Sequence, residues 1–161
     1  LRIRQFTGRG TNIHRACYFC RVKTKTMGRL LAIDYGRKRT GIAVSDPLQI
    51  IATGLTCVAT NELIPFLKNY TAKEEVEQFV LGMPLNWDES PTDATPWVEK
   101  TAAELKKHFP EIPLAFEDER NTSKMAVESM LRSGMKKKKR RKKEEVDVVS
   151  ATLILQQYMQ K

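Results

Sequence analysis

Leu30-Leu31-Ala32-Ile33-Asp34-Tyr35-Gly36 is a short apolar run that ends in one aspartate and a glycine. The chain resumes with Thr40-Gly41-Ile42-Ala43-Val44-Ser45-Asp46. Between them stand Arg37, Lys38 and Arg39, three positive charges in one tight connection. Two β-prone runs joined so closely read as a hairpin. The first is apolar on both faces, which places it centrally in a sheet. An unpaired carboxylate inside such a strand is costly, but at the strand's end it can look into a cleft. Asp34 is there either as a ligand for a cation or as a cap on the turn.

The 161 residues make one domain the natural expectation, and a hydrophobic content of 41% supports a core. No window approaches 18 apolar residues, so no membrane span is expected. Three cysteines, Cys17, Cys20 and Cys57, do not make a disulfide framework, and a reducing cytoplasm suits them. The formal charge of +9 is unevenly spread. Residues 1–26 carry seven basic residues and no acid, which leaves +2 for the rest. Within that rest, Lys136, Lys137, Lys138, Lys139, Arg140, Arg141, Lys142 and Lys143 run unbroken, and the remaining body is −6 without them. An acidic body with one basic patch suits a polyanion met at one place, or else a solvated charge run.

Residues 1–26 show neither strand nor helix period, and Gly8-Arg9-Gly10-Thr11-Asn12 is rich in breakers. They read as a non-native or disordered basic leader, with the domain over 27–161 starting at Met27. His14, Cys17 and Cys20 lack a nearby fourth ligand, so zinc is not expected there.

Downstream, Gln49 to Val58 reads as a third strand with a bulge at Gly54. Asn61 is a candidate N-cap for a helix from Glu62 to Tyr70, with Pro65 in its first turn. Phe79-Val80-Leu81-Gly82 reads as a buried strand, followed by a turn-rich loop through Pro91 that is either substrate-facing or a plain connector. Val98, Ala102, Leu105 and Phe109 repeat at helical spacing from about Asp93 or Thr95 until Pro110. Ile112 to Phe116 is a short strand running into Glu117-Asp118-Glu119-Arg120. Asn121 or Thr122 opens a helix with Met125, Ala126, Met130 and Leu131 as its apolar stripe, ended by Ser133-Gly134. A last helix spans about Glu144 to Tyr158, with Asp147 in its first turn. Val146, Val149 and Leu153 set its period, and Asp147, Ser150, Ala151 and Ile154 lie on a neighbouring stripe.

An antiparallel meander feeding β-α-β-α-β units predicts a mixed five-stranded α/β sheet flanked by helices. That is the topology of a ribonuclease H-like domain. In such a sheet the first and last strands can be neighbours, with the final helix lying across them. Asp34, Glu117-Asp118-Glu119 and Asp147 would then converge. Converging carboxylates repel unless a cation joins them, and Mg²⁺ or Mn²⁺ is the hard, oxygen-seeking partner. Two such ions can support phosphodiester hydrolysis. The basic run leads directly into the last helix, so a phosphate backbone held by it would pass near Asp147. Arg37 and Arg39 are placed to grip the same backbone. Arg120 either holds a phosphate or pins the acidic cluster. His108, alone at a helix end, reads as incidental, and no Walker-type phosphate loop is present.

Four stretches in order resemble the YqgF family of Holliday-junction-resolvase-like proteins, also described as pre-16S rRNA nucleases. They are Leu31 to Gly36 with Arg39 to Asp46, Val80 to Asn86, Asp118-Glu119-Arg120, and Val146-Asp147 with Ser150 to Leu155. The resemblance spans about Arg29 to Tyr158. It implies a ribonuclease H-like fold and a cytoplasmic, metal-dependent nuclease. Asp34 matches the first-strand catalytic aspartate, Asp118-Glu119 the acidic pair after the last strand, and Asp147 the aspartate of the final helix. Glu119 is preferred over Asp118 as the metal ligand. Trp87-Asp88-Glu89-Ser90 and Asn121 depart from the family's usual pattern in loop positions.

The expected reaction is hydrolysis of a phosphodiester bond, with Asp34, Glu119 and Asp147 holding Mg²⁺ or Mn²⁺. The expected substrate is structured RNA, the 5′ end of pre-16S rRNA in ribosome biogenesis, or branched DNA at a Holliday junction. A non-catalytic nucleic-acid-binding assembly factor is a rival reading, and a sugar-kinase-like phosphotransferase remnant a weaker one. The oligomeric expectation is a monomer or weak homodimer.

Overall fold

The hairpin forms as its sequence dictates. β1 (Arg29–Tyr35) and β2 (Arg39–Ser45) pair antiparallel, with Leu31 opposite Val44 and Asp34 opposite Gly41. The computed structural model describes residues 28–84, 92–119, 122–140 and 142–161. β3 (Ala52–Ala59) continues the meander on β2, and the register slips where Ile42 faces Thr56 but Ala43 faces Gly54, so the expected bulge is present at Leu55. β4 (Val76–Met83) and β5 (Leu114–Asp118) add in parallel, giving one mixed sheet in the order β3-β2-β1-β4-β5. This is the predicted five-stranded α/β fold.

β1 is buried on both faces because helices cover both sides of the sheet. On one side α1 (Leu63–Thr71) and α2 (Thr95–His108) pack Leu63, Leu67, Val98 and Leu105 against Leu31, Ile33, Ile42, Phe79 and Leu81. Phe109 closes this layer, its ring edge-on to Phe79 at 5.3 Å. On the other side α5 (Lys143–Met159) lays Ala151, Ile154 and Leu155 on Leu30, Ala32, Ala43 and Val80. Alanine on both partners lets that helix ride close to the sheet. Each fully buried Leu or Ile contributes roughly 1.5–3 kcal/mol.

Several expectations need correction. β1 and β5 are not neighbours, because β4 lies between them. β5 begins at Leu114 and carries Glu117 and Asp118 within its pairing to Gly82 and Met83. Asn61 does not cap α1. It sits in a 3-10 turn, Thr60–Glu62, and α1 starts without a side-chain cap. Along α3 (Thr122–Arg132) only half of the predicted stripe is inward: Ala126 and Met130 are buried, whereas Met125 and Leu131 are 41% and 50% exposed. Gly134 does end α3, at φ 72°, with the Met135 amide donating to the Met130 carbonyl at 3.0 Å. A single turn, α4 (Lys137–Arg140), then joins α3 to α5. The leader with its His14, Cys17 and Cys20, the Met27 start, the loop from Leu85 to Pro91 and Asn121 lie outside the described residues.

Candidate active site

Asp34 stands near the carboxyl end of the central strand, on the face that α5 covers. Its neighbours on that face are both glycines. Gly41 of β2 is its register partner, and Gly82 of β4 lies one step beyond the Ile33–Leu81 pair. Neither position has room for a side chain. A Cβ at Gly41 would collide with the backbone carbonyl of Asp147, so the α5 backbone lies directly on β2. A Cβ at Gly82 would collide with Glu119 Oε2 and come within 2.9 Å of Ile154 Cδ1. The two glycines thus admit, from opposite sides of Asp34, the helix that carries Asp147 and the carboxylate of Glu119.

Glu119 follows β5 directly and is held by its backbone. Its amide donates to the Met83 carbonyl at 3.3 Å, and its carbonyl accepts from the Thr122 hydroxyl at 3.0 Å as α3 begins. Its Oε2 is buried and, among the described residues, has no hydrogen-bond partner. Burial pushes the Glu119 carboxyl up to about 8, with the charges of Asp34 and Asp118 adding to the shift. Burial likewise raises Asp34 to about 7, helped by the charge of Asp147.

Asp147 is the fifth residue of α5, one position past the first turn where it was expected. Its placement is tertiary. Arg39 Nε donates to Asp147 Oδ2 at 3.2 Å, and Arg39 Nη1 reaches Glu144 Oε1 at 3.3 Å. The Cys57 thiol lies 3.8 Å from the same Oδ2, and burial, then the nearby Asp147 charge, push that thiol up to about 11. Asp147 is therefore tied toward β2 and β3, while Glu119 approaches from β4 and β5.

An orphaned carboxylate oxygen and two carboxyls raised by burial and by neighbouring acids are what a site built for a hard cation offers. The all-oxygen donors Asp34 and Glu119 fit Mg²⁺ or Mn²⁺ better than a softer metal. Among the described residues, no three His, Cys, Asp or Glu side chains are already gathered as a complete ligand group. Asp34 feels the charge of Asp147, and Glu119 feels that of Asp34, so Asp34 links the two, with Asp147 also engaged by Arg39.

The other predicted residues divide. Strand alternation sets Asp118 on the face opposite Glu117 and Glu119, although its charge is felt by Glu119. Glu117, buried on the α5 side, is neutralised by Lys161 Nζ at 2.7 Å and reads as structural. Arg37 is exposed, with its guanidinium 5.3 Å from the centre of the Trp97 ring. Lys137 and Lys138 on α4, Lys136 just before it, and Lys142 and Lys143 at the entry to α5 are exposed. The side chains of Lys139 and Arg140, together with Arg120 and Arg141, lie outside the described residues. Sequence reasoning missed Gly41, Gly82 and Cys57. A glycine inside an otherwise apolar strand was the available signal for the first two, since it often marks a close approach.

Residues 28–161 match the family described as RuvX: Holliday junction resolvase. A Bacteroides thetaiotaomicron protein named "Putative pre-16S rRNA nuclease" is 51% identical over 134 residues, covering 83% of this chain and 97% of the relative. A protein of the same name from Porphyromonas gingivalis is 50% identical over 135 residues, covering 83% and 96%. Among solved structures, the chain resembles "T. thermophilus RuvC in complex with Holliday junction substrate" with a TM-score of 0.52, over 82% of this chain and 93% of that one. At 14% identity that likeness is one of fold.

Proposed function

The chain belongs to the YqgF/RuvX family, and we propose that it is a metal-dependent endonuclease that trims the 5′ end of the 16S rRNA precursor in the cytoplasm. The observation that carries the reading is the half-buried Asp34 beside Glu119, whose buried Oε2 has no hydrogen-bond partner among the described residues. Such carboxyls are a poor structural device, because groups held above their ordinary pKa by burial and by neighbouring charge destabilise the fold that holds them. Carboxyls perturbed in this way are characteristic of sites that work.

Asp34 and Glu119 would hold Mg²⁺ or Mn²⁺, with Asp147 as the third carboxylate. When bound, such an ion supplies Lewis-acid stabilisation of the phosphate oxygens and lowers the pKa of water. The rest falls to the chain's own groups. Asp147 turns from Arg39 toward Asp34, and this frees the Arg39 guanidinium for a phosphate oxygen. The lysines of α4 and early α5 hold the backbone on either side and set its direction. A water oxygen adds to phosphorus and gives up a proton to solvent, the bond to the 3′ oxygen breaks, and that oxygen takes a proton from solvent and leaves as a hydroxyl.

Junction cleavage is a second reading, favoured by the description of the matching family. The test uses a labelled 5′-extended 16S precursor and a four-way DNA junction, each with Mg²⁺ or Mn²⁺ and beside an Asp147→Asn variant. Trimming of the RNA alone, abolished in the variant, is the expected result. Symmetric cutting of the junction alone would move the reading to branched DNA. Binding of both without cleavage would leave a nucleic-acid-binding assembly factor.

A further inference from the structure

Trp97 lies in the first turn of α2 and is 43% exposed, with the guanidinium of Arg37 over its ring. Beside it a cavity of about 130 Å³ opens, lined by Tyr35, Leu63, Ile64, Trp97, Lys100 and Glu104. Its position in the fold gives it meaning. Tyr35 follows Asp34 directly in β1, so the two side chains leave the same strand end on opposite faces. The cavity and the carboxylates therefore flank one edge of the sheet, and a strand crossing that edge meets both.

Arg37 is presented from a fixed backbone. The Thr60 hydroxyl donates to the Gly36 carbonyl at 2.6 Å, and the Thr60 amide donates to the Lys38 carbonyl at 3.2 Å. The turn is pinned on both sides of Arg37, and among the described residues Arg37 has no acidic partner. A guanidinium 5.3 Å over an indole places two flat groups side by side on which a planar ring can stack, with Lys100 at the same cavity for its phosphate. Glu104, at the cavity wall, can accept from an exocyclic amine.

We propose that Arg37 and Trp97 form a stacking site for one unpaired nucleotide next to the scissile phosphate. The inference rests on the nuclease reading and narrows its substrate to nucleic acid that is single-stranded at the cut. A base inside a duplex is already stacked and has no free face to give.

The test is metal-free binding of a single-stranded RNA and of its duplex, followed by Trp97 fluorescence in a Trp87→Phe background. The single strand should quench the fluorescence. Trp97→Ala should weaken single-strand binding about tenfold, within the range for one stacked base, and leave duplex binding within about twofold. Trp97→Phe should restore most of the affinity, which separates stacking from a folding defect. Unchanged single-strand affinity in Trp97→Ala, or an equal loss for both substrates, overturns the stacking site. If Trp97→Ala still binds and cleaves as wild type does, the nuclease reading stands and only this inference falls. If the wild-type chain binds neither RNA, both fall.

Discussion

Gly82 of β4 touches the carboxylate of Glu119 with nothing between them, and a single methyl group at position 82 would occupy the space of Glu119 Oε2. That relationship explains how a residue beyond β5 comes under the charge of Asp34 although β4 separates the two strands. The missing side chain is the passage.

Gly82→Ala is therefore expected to push Glu119 away from Asp34. The added Cβ also presses on Ile154, whose side chain can shift, so the fold should survive with a loss of about 1–3 kcal/mol. Cleavage should fall at least about 100-fold, as for a catalytic group displaced by an ångström. Gly41→Ala meets the Asp147 backbone instead, which cannot rotate aside, and should cost more stability. Thermal unfolding and single-turnover cleavage of both variants check this.

The raised Asp34 and Glu119 carboxyls set a pH dependence for the metal-free protein. A folded-state pKa above the unfolded value favours the folded state at low pH, and that contribution is lost as pH rises through the folded pKa. Stability without metal should thus decline between about pH 4 and 8, the interval from ordinary carboxyl values to the raised ones. Asp34→Asn should abolish cleavage and yet stabilise the metal-free protein at pH 9, by on the order of 1–3 kcal/mol. Denaturant titrations at pH 5 and pH 9 measure both effects.

Mg²⁺ or Mn²⁺ should reverse that decline, because a cation bound only by the folded state raises its stability by mass action. The melting temperature at pH 8 should climb with added metal in wild type and stay flat in Glu119→Gln. A chelator should return wild type to its metal-free value.

The exposed lysines at the start of α4 and just before it predict a salt signature. Replacing Lys136, Lys137 and Lys138 with alanine should weaken binding to all nucleic acids alike. It should also flatten the slope of log affinity against log salt by roughly one for each phosphate that is no longer neutralised. Binding isotherms at three salt concentrations give the slope.

Much of this was legible in the chain. The apolar runs around Ile33 and Val80 announce central strands because burial on both faces leaves no alternation, and Gly134 announces the end of α3 because it takes a positive φ. Asp34, Glu119 and Asp147 stood out as acids at element ends. The spatial order of parallel strands did not, since it depends on where crossover helices land and leaves no local pattern. For the same reason β5 could be placed beside β1 on sequence alone. The grip of Arg39 on Asp147 joins residues 108 positions apart. Met125 and Leu131 misled because apolar residues on an exposed helix face keep the same spacing as buried ones.

Single-turnover cleavage of a labelled 5′-extended 16S precursor, with Mn²⁺, by wild type, Asp34→Asn, Glu119→Gln and Asp118→Asn tests the central claim most directly. Metal-dependent cutting near the mature 5′ end is expected, lost at least about 1,000-fold in the Asp34 and Glu119 variants and largely kept in Asp118→Asn. Cutting that survives in both Asp34→Asn and Glu119→Gln, or that needs no metal, would contradict the assignment of Asp34 and Glu119 as the catalytic centre.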